Sequence, residues 1–535
     1  MLYNLLALQL FEKNVASDEM KGHTVDKEMW VADLTNLLEQ KAELPKYQIL
    51  ADAVTLAIES GRLGHDTKLP TVRELATKLG ISGTTVATAY RMLAQQQLIS
   101  GKVGSGTRVL GASFRSVKRD SVDRKPTLEV APVRSLWRRR TQTNHIAALS
   151  KAFPSALNCA AGLPNPTLLP LEVLRRGWMR AATHIGASDL QYGGPTPVPA
   201  LSQQLLRKLE QDKIAAIPAD LVIGSSAQQL MFLAVQIASE RFQEAQLLVG
   251  VEEPGYPTLF DTYERLGHQL IGIEVDDEGA VPASVDNALT KGARLLVFTP
   301  RAHNPTGVSW SPSRLAALAE LLAEYPDVII IEDDQFADAA NSQVGSLLND
   351  PKLEDRVIYI RSFSKVVAPD LRLTLAVARP SLRTLLMEAK FYTDGWNSRF
   401  SQHALAHAFA DEEMATALEA ARDAYNQRRQ GFTEALLRIS SPRELQLSPA
   451  CDGVNVWLEL KNGTSAAEVA ERAAAAGILV AVGEPFFVNV GRDSALRVNV
   501  GMVLETELVS TAGKLYGAFK QASKATPALF EYHSL

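Results

Sequence analysis

Cysteine is nearly absent. Cys159 and Cys451 are the only two in 535 residues, too few for a disulfide framework, so both are read as reduced, buried thiols of a cytoplasmic protein. The apolar N-terminus MLYNLLALQLF lacks a basic leader and a small-residue cleavage site, and it is too short to span a bilayer. Neither a membrane partner nor a metal site is expected. Net charge is also small, −5 from 55 basic and 60 acidic residues, but it is unevenly spread. Residues 41–150 carry 18 Lys and Arg against 8 Asp and Glu, a surplus of +10, and the rest carries 37 against 52, a deficit of −15. A basic front on an acidic body suits a nucleic-acid-binding head, because attraction to phosphates supplies most non-specific affinity. The length exceeds one ordinary core, so two or three folding units are expected. Residues 1–40 contain no usable motif and are read as an extension.

Residues 41–110 read as a compact helical head. Ile49, Leu50, Ala53, Val54, Ala57 and Ile58 form a helical stripe ended by Ser60-Gly61. A second helix runs from Thr71 to Leu79 and stops at Gly80. Ser82 caps a third, with Val86, Ala89, Tyr90 and Leu93 inward. The short turn Gly80-Ile81-Ser82 makes a helix-turn-helix pair. Leu98-Ile99 and Thr107-Arg108-Val109 alternate as strands around a basic glycine-rich turn, Gly101 to Gly106, and the hairpin forms a wing.

The run LPTVRELATKLGISGTTVATAYRMLAQQQLISGKVGSGTRV resembles the GntR-type winged helix. By that resemblance Arg73, Ser82, Thr84 and Thr85 face double-stranded DNA, and Lys102 and Ser105 sit on the wing. Small hydroxyls at a helix N-terminus suit phosphates and base edges, and an arginine adds bidentate readout. One position departs from the pattern: Gly83 stands where an arginine usually follows the capping serine. Residues 111–150 are basic and polar with scattered proline and no sustained period, and are read as a linker. Its Arg138-Arg139-Arg140 suits DNA, the acidic body or plain solvation equally.

From residue 151 to 535, helical and strand patterns alternate. Leu247–Val249, Leu295–Phe298, Val328–Ile331 and Val357–Ile360 are short apolar runs of the kind that form buried parallel strands, so an α/β domain with a central sheet is expected. From about 425 to 520 the pattern changes to a smaller α+β subdomain.

Chemistry gathers at the strand ends. Ser362-Phe363-Ser364-Lys365 follows a strand, where a Schiff-base lysine must sit to reach the carboxyl edge of a sheet. Arg372, seven residues beyond Lys365, adds a fork for phosphate. Asp333, ending another strand, is placed to keep a pyridine nitrogen protonated. Asn304, in His-Asn-Pro-Thr-Gly, can donate to a phenolic oxygen. Ser226, Ala227 and Gln228 turn a strand into a helix and offer amides and a dipole to phosphate. Tyr256 offers an aromatic face, and Arg497 can pair a carboxylate bidentately.

In this order and spacing the set resembles the fold-type I aminotransferases. Joined to the GntR-type head, it resembles the MocR/GabR family of regulators dependent on pyridoxal 5'-phosphate. The resemblance implies a multidomain fold: a winged helix-turn-helix, then an α/β PLP-dependent transferase domain of fold type I with the smaller C-terminal subdomain. It implies a homodimer. It assigns Lys365 to the covalent link and Asp333 to the pyridine nitrogen. Asn304 goes to the phenolic oxygen, Tyr256 to stacking, and Ser226, Ala227, Gln228, Ser362 and Arg372 to the phosphate. Arg497 takes the carboxylate of an effector. A second departure is that the family's tyrosine, two or three residues after the aspartate, is replaced by Gln335 and Phe336; Phe336 cannot donate a hydrogen bond. The implied function is a transcription regulator that senses an amino compound or PLP. The alternative is an active aminotransferase carrying a DNA-binding head.

Overall fold

The computed structural model describes residues 45–59, 63, 67–95, 98–102, 106–109, 146–449, 452–489 and 494–525. The expected N-terminal extension, most of the linker with its arginine run, Ser105 and Cys451 lie outside the described residues, as does the side chain of Lys102. The chain divides into two compact units, Met1–Lys125 and Pro126–Leu535, which are described separately.

The first unit has helices α1 (Lys46–Glu59), α2 (Val72–Leu79) and α3 (Gly83–Gln95), then strands β1 (Ile99–Lys102) and β2 (Gly106–Val109). Leu50, Val54, Leu75, Val86, Ala89 and Leu93, drawn from all three helices, form its core. Helix α2 starts where it does because Thr71 and Glu74 make reciprocal capping bonds. It stops at Gly80, which takes the left-handed conformation at φ 62° that glycine adopts most cheaply. The strands pair antiparallel, with Ile99 opposite Val109 and Lys102 opposite Gly106.

The second unit is built on an eight-stranded sheet. After a short strand β3 (Leu157–Asn158) outside that sheet, its strands are β4 (Leu221–Gly224), β5 (Leu248–Glu253), β6 (Gln269–Asp276), β7 (Gly279–Ala280), β8 (Leu295–Phe298), β9 (Ile329–Asp334), β10 (Val357–Ser362) and β11 (Thr374–Ala378), ordered β4-β11-β10-β9-β8-β5-β6-β7. The four apolar runs expected to be parallel strands are β5, β8, β9 and β10, and they pair parallel. Strand β11 was not anticipated; it runs antiparallel between β4 and β10. Its sequence TLAVA carries no polar alternation because both faces are covered.

Side chains alternate across the sheet. Ile329 and Ile331 of β9 join one apolar layer with the helix Ala227–Phe242, and Ile330 joins the other. Asp333 therefore faces the first layer, while Glu332 and Asp334 face the second. The smaller subdomain centres on a four-stranded antiparallel sheet that includes Asn455–Leu460 and Ala495–Asn499. Its expected start near 425 falls inside one helix, Glu412–Ile439.

Candidate cofactor and effector site

The candidate residues of the second unit converge at the carboxyl edge of the sheet, where β8, β9 and β10 end, the usual location for ligands in open α/β sheets. Lys365 lies three residues beyond β10, and its Nζ donates to the carbonyl of Gly162 at 2.5 Å. Burial, and then the charge of Arg497, hold the Lys365 amine below its ordinary pKa, with Asp333 opposing. A β-carbon at Gly162 would come within 3.8 Å of both Lys365 Nζ and Arg497 Nη1, so these two cations share one small space.

Asp333 is buried, and its carboxyl is pushed up to about 7, first by burial. Gln335 opposes this by donating from Nε2 to Asp333 Oδ2 at 2.6 Å. Asp333 Oδ1 has no hydrogen-bond partner. An unpartnered buried carboxylate oxygen demands a donor, and a protonated pyridine nitrogen is one. Arg497 is buried on strand Ala495–Asn499. It donates from Nη1 to Asn304 Oδ1 at 3.0 Å and from Nη2 to Ala160 O at 2.6 Å, and its Nε is unpartnered. Its guanidinium lies 4.9 Å from the ring centre of Phe486. Burial lowers its pKa to about 10, so it stays cationic at neutral pH. Asn304, with its oxygen engaged by Arg497, keeps its amide N–H groups for another acceptor.

Ser226 caps the helix Ala227–Phe242, its side chain accepting from Gln229 N at 3.1 Å. Gln229 Oε1 in turn accepts from the backbone N and the hydroxyl of Ser225. These half-buried groups and the helix N-terminus form a donor-rich corner. Ser362 is buried at the end of β10. Arg372 is exposed and takes the left-handed backbone region at φ 53°, which turns the chain back into β11. Tyr256 is half-buried and packs against the apolar layer on Asp333's side of the sheet. Taken together, the lysine, the orphaned carboxylate oxygen, the aromatic face and the donor-rich corner fit pyridoxal phosphate. Bound there, that group would supply an aldehyde for amines and an electron-withdrawing ring.

In the first unit Arg73, Ser82 and Thr84 are exposed and Thr85 is half-buried. Ser82 Oγ lies 2.8 Å from the hydroxyl of Thr84 and 2.7 Å from that of Thr85, and accepts from Thr85 N. The three hydroxyls therefore form one cluster at the start of α3. Nothing lies within 4 Å of where a β-carbon at Gly83 would stand, so glycine there answers no steric need.

Residues 168–510 match the family described as Aminotransferase class I and II, well over half of the chain. The chain belongs to that family. Residues 46–109 match Bacterial regulatory proteins, gntR family, so an aminotransferase-family body follows a GntR-type DNA-binding head. Among curated relatives, the "Vitamin B6 salvage pathway transcriptional repressor PtsJ" of Salmonella typhimurium is 29% identical over 476 residues, covering 88% of this chain and 97% of that protein. The "HTH-type pyridoxine biosynthesis transcriptional regulator PdxR" of Corynebacterium glutamicum is 26% identical and covers 76% of this chain and 82% of its own. Among solved structures, LysN, the α-aminoadipate aminotransferase of Thermus thermophilus complexed with N-(5'-phosphopyridoxyl)-L-leucine, superposes with a TM-score of 0.62. It is 25% identical and covers 73% of this chain and 100% of that one.

The aminotransferase-family body also holds contacts that sequence reading missed. The carbonyls of Gly162 and Ala160 that receive Lys365 and Arg497 have no side-chain signal. Phe486 under Arg497 sits in no motif. The expectation about Phe336 needs refinement. Phe336 packs in the apolar layer on the side of the sheet away from Asp333, so it does not occupy the site. Gln335 is the residue that reaches Asp333.

Proposed function

We propose that this chain is a PLP-dependent transcription regulator of the MocR/GabR type, a cytoplasmic homodimer that reads promoter DNA with its winged helix. An amino compound, or PLP itself, is sensed at Lys365. One observation carries the reading: a GntR-type helix-turn-helix, with its hydroxyl cluster at the start of α3, shares a chain with a half-buried Lys365 beside buried Asp333 and Arg497. Asp333, whose Oδ1 is unpartnered, would hold the pyridine nitrogen, Asn304 would donate to the phenolic oxygen, and Tyr256 would cover the ring. Ser226, Ala227, Gln228, Ser362 and Arg372 would take the phosphate. Lys365 would hold the cofactor and could accept or return a proton at its Nζ. Arg497 selects ligands with a carboxylate, because a buried guanidinium left without its anion is costly. Such a ligand regulates only through its differential affinity for two states of the protein.

The same residues favour a second reading, an aminotransferase with a DNA-binding head, since Lys365 and Asp333 also serve catalysis. Footprinting of the DNA upstream of the coding region, with and without PLP and amino acids, separates the two. A protected site that responds to PLP or an amine supports regulation. Turnover in the usual enzyme range of ~1–1000 per second, with no protected DNA, supports the enzyme.

A further inference from the structure

Helix α3 has the sequence GTTVATAYRMLAQ. Val86, Ala89, Tyr90 and Leu93 turn into the core of the first unit. At about 100° per residue, the opposite face carries Thr84, Ala87, Thr88 and Arg91. Thr84 and Arg91 are exposed, and Ala87 and Thr88 are half-buried. Arg91 stands about 12 Å along the axis from Gly83. In a helix-turn-helix the N-terminal part of the second helix meets the base edges, so Arg91 lies beyond it and suits a phosphate.

The side chains that read a major groove by paired hydrogen bonds are few. Arginine or lysine pairs guanine, asparagine or glutamine pairs adenine, and a carboxylate accepts from cytosine. From Gly83 to Tyr90, α3 has none of these. Gly83 supplies no side chain where one would fit, since nothing lies within 4 Å of its missing β-carbon. The hydroxyls are already engaged. Ser82 Oγ lies 2.8 Å from Thr84 Oγ1 and 2.7 Å from Thr85 Oγ1, and it accepts from Thr85 N. A threonine carries its hydroxyl and its methyl on one β-carbon, and that branching restricts χ1. With Thr84 Oγ1 turned back to Ser82, the methyl is left on the other side. What the front of α3 offers a groove is therefore the methyl groups of Thr84, Ala87 and Thr88. Of the bases, only thymine presents a methyl in the major groove, and alanine and threonine methyls are its usual apolar partners.

We propose that α3 reads the 5-methyl groups of thymines, so that the base pairs under its first two turns are A·T rather than G·C. The inference rests on the winged helix being the DNA reader and names the sequence class that this reader takes. Arg73 belongs to α2 and is not on this face.

The test starts from the full cofactor-loaded chain and a library of random-sequence duplexes. Repeated capture should enrich a duplex with A·T pairs in its contacted segment. Replacing the thymines of that duplex by deoxyuridine removes their methyls and keeps the base pairing. Binding should fall about fourfold for each methyl contacted, the worth of one buried apolar carbon. Thr84→Ser deletes the methyl on the protein side and keeps the hydroxyl that bonds Ser82. It should weaken binding to the thymine duplex by about the same factor and leave binding to the deoxyuridine duplex unchanged. An equal effect of Thr84→Ser on both duplexes, whether a loss or none, overturns the contact. Enrichment of a duplex whose affinity ignores the deoxyuridine exchange overturns the inference alone. Failure to enrich any duplex overturns both the inference and the DNA-reading head beneath it.

Discussion

Replacing Asp333 with asparagine should stabilise the cofactor-free protein and weaken its hold on the cofactor. Asp333 is buried, and its carboxyl titrates at about 7 against an ordinary value of 3.8. An acid raised on folding is protonated in the native state over a pH range where the unfolded chain has already lost the proton. The penalty therefore grows as pH rises from 3.8 and levels off above about 7. Each unit corresponds to about 1.36 kcal/mol, so the gap of about three units costs roughly 4.3 kcal/mol at pH 8.5 and about 1.6 kcal/mol at pH 5. Asparagine keeps an oxygen for the bond from Gln335 Nε2 and carries no charge, so it removes this penalty. Urea unfolding of cofactor-free native and Asp333→Asn proteins at the two pH values measures it. The variant should gain stability, and about 2.7 kcal/mol more of it at pH 8.5 than at pH 5. With the cofactor bound, the order should reverse, because asparagine cannot hold a pyridinium by charge. Dialysis should then strip the cofactor from the variant faster. Equal pH dependence of unfolding in the two cofactor-free proteins would refute the claim that burial strains this carboxylate.

Other outcomes follow from the same geometry. Borohydride reduction of the cofactor-loaded protein should leave the pyridoxyl label on Lys365 alone, and Lys365→Ala should lose it; a label on another lysine would remove Lys365 from its role. Arg73→Ala should weaken binding to the promoter duplex by ~1–3 kcal/mol. Gly83→Arg, placed where nothing lies within 4 Å, should strengthen it; a chain lacking residues 1–110 that binds equally well would show that the head is not the reader. Gln335→Tyr should alter the pH titration of the cofactor's visible band. Phe336→Tyr should instead leave that titration unchanged and cost roughly 1–3 kcal/mol of stability, because its hydroxyl enters the apolar layer on the other face of the sheet.

The sequence by itself determined the two-part organisation and most of the chemistry. Local signals are enough for a winged helix whose turns are fixed by Thr71, Gly80 and Ser82, since each acts on backbone groups within four residues. The strand-end positions of Asp333 and Lys365 follow from apolar runs that stop where polar residues begin. Only the tertiary structure decided which strand neighbours which, because β11 inserts antiparallel between β4 and β10 and nothing in TLAVA encodes a partner. It also decided which side of the sheet each residue serves. The run Glu332-Asp333-Asp334-Gln335-Phe336 reads as a continuous patch, yet alternation and packing send Asp333 and Gln335 to the cofactor side. Asp334 and Phe336 go to the other. The carbonyls of Gly162 and Ala160, some 200 and 340 residues from the lysine and arginine they receive, are brought there by long-range packing. Backbone groups are the same in every residue, so no sequence pattern can mark them.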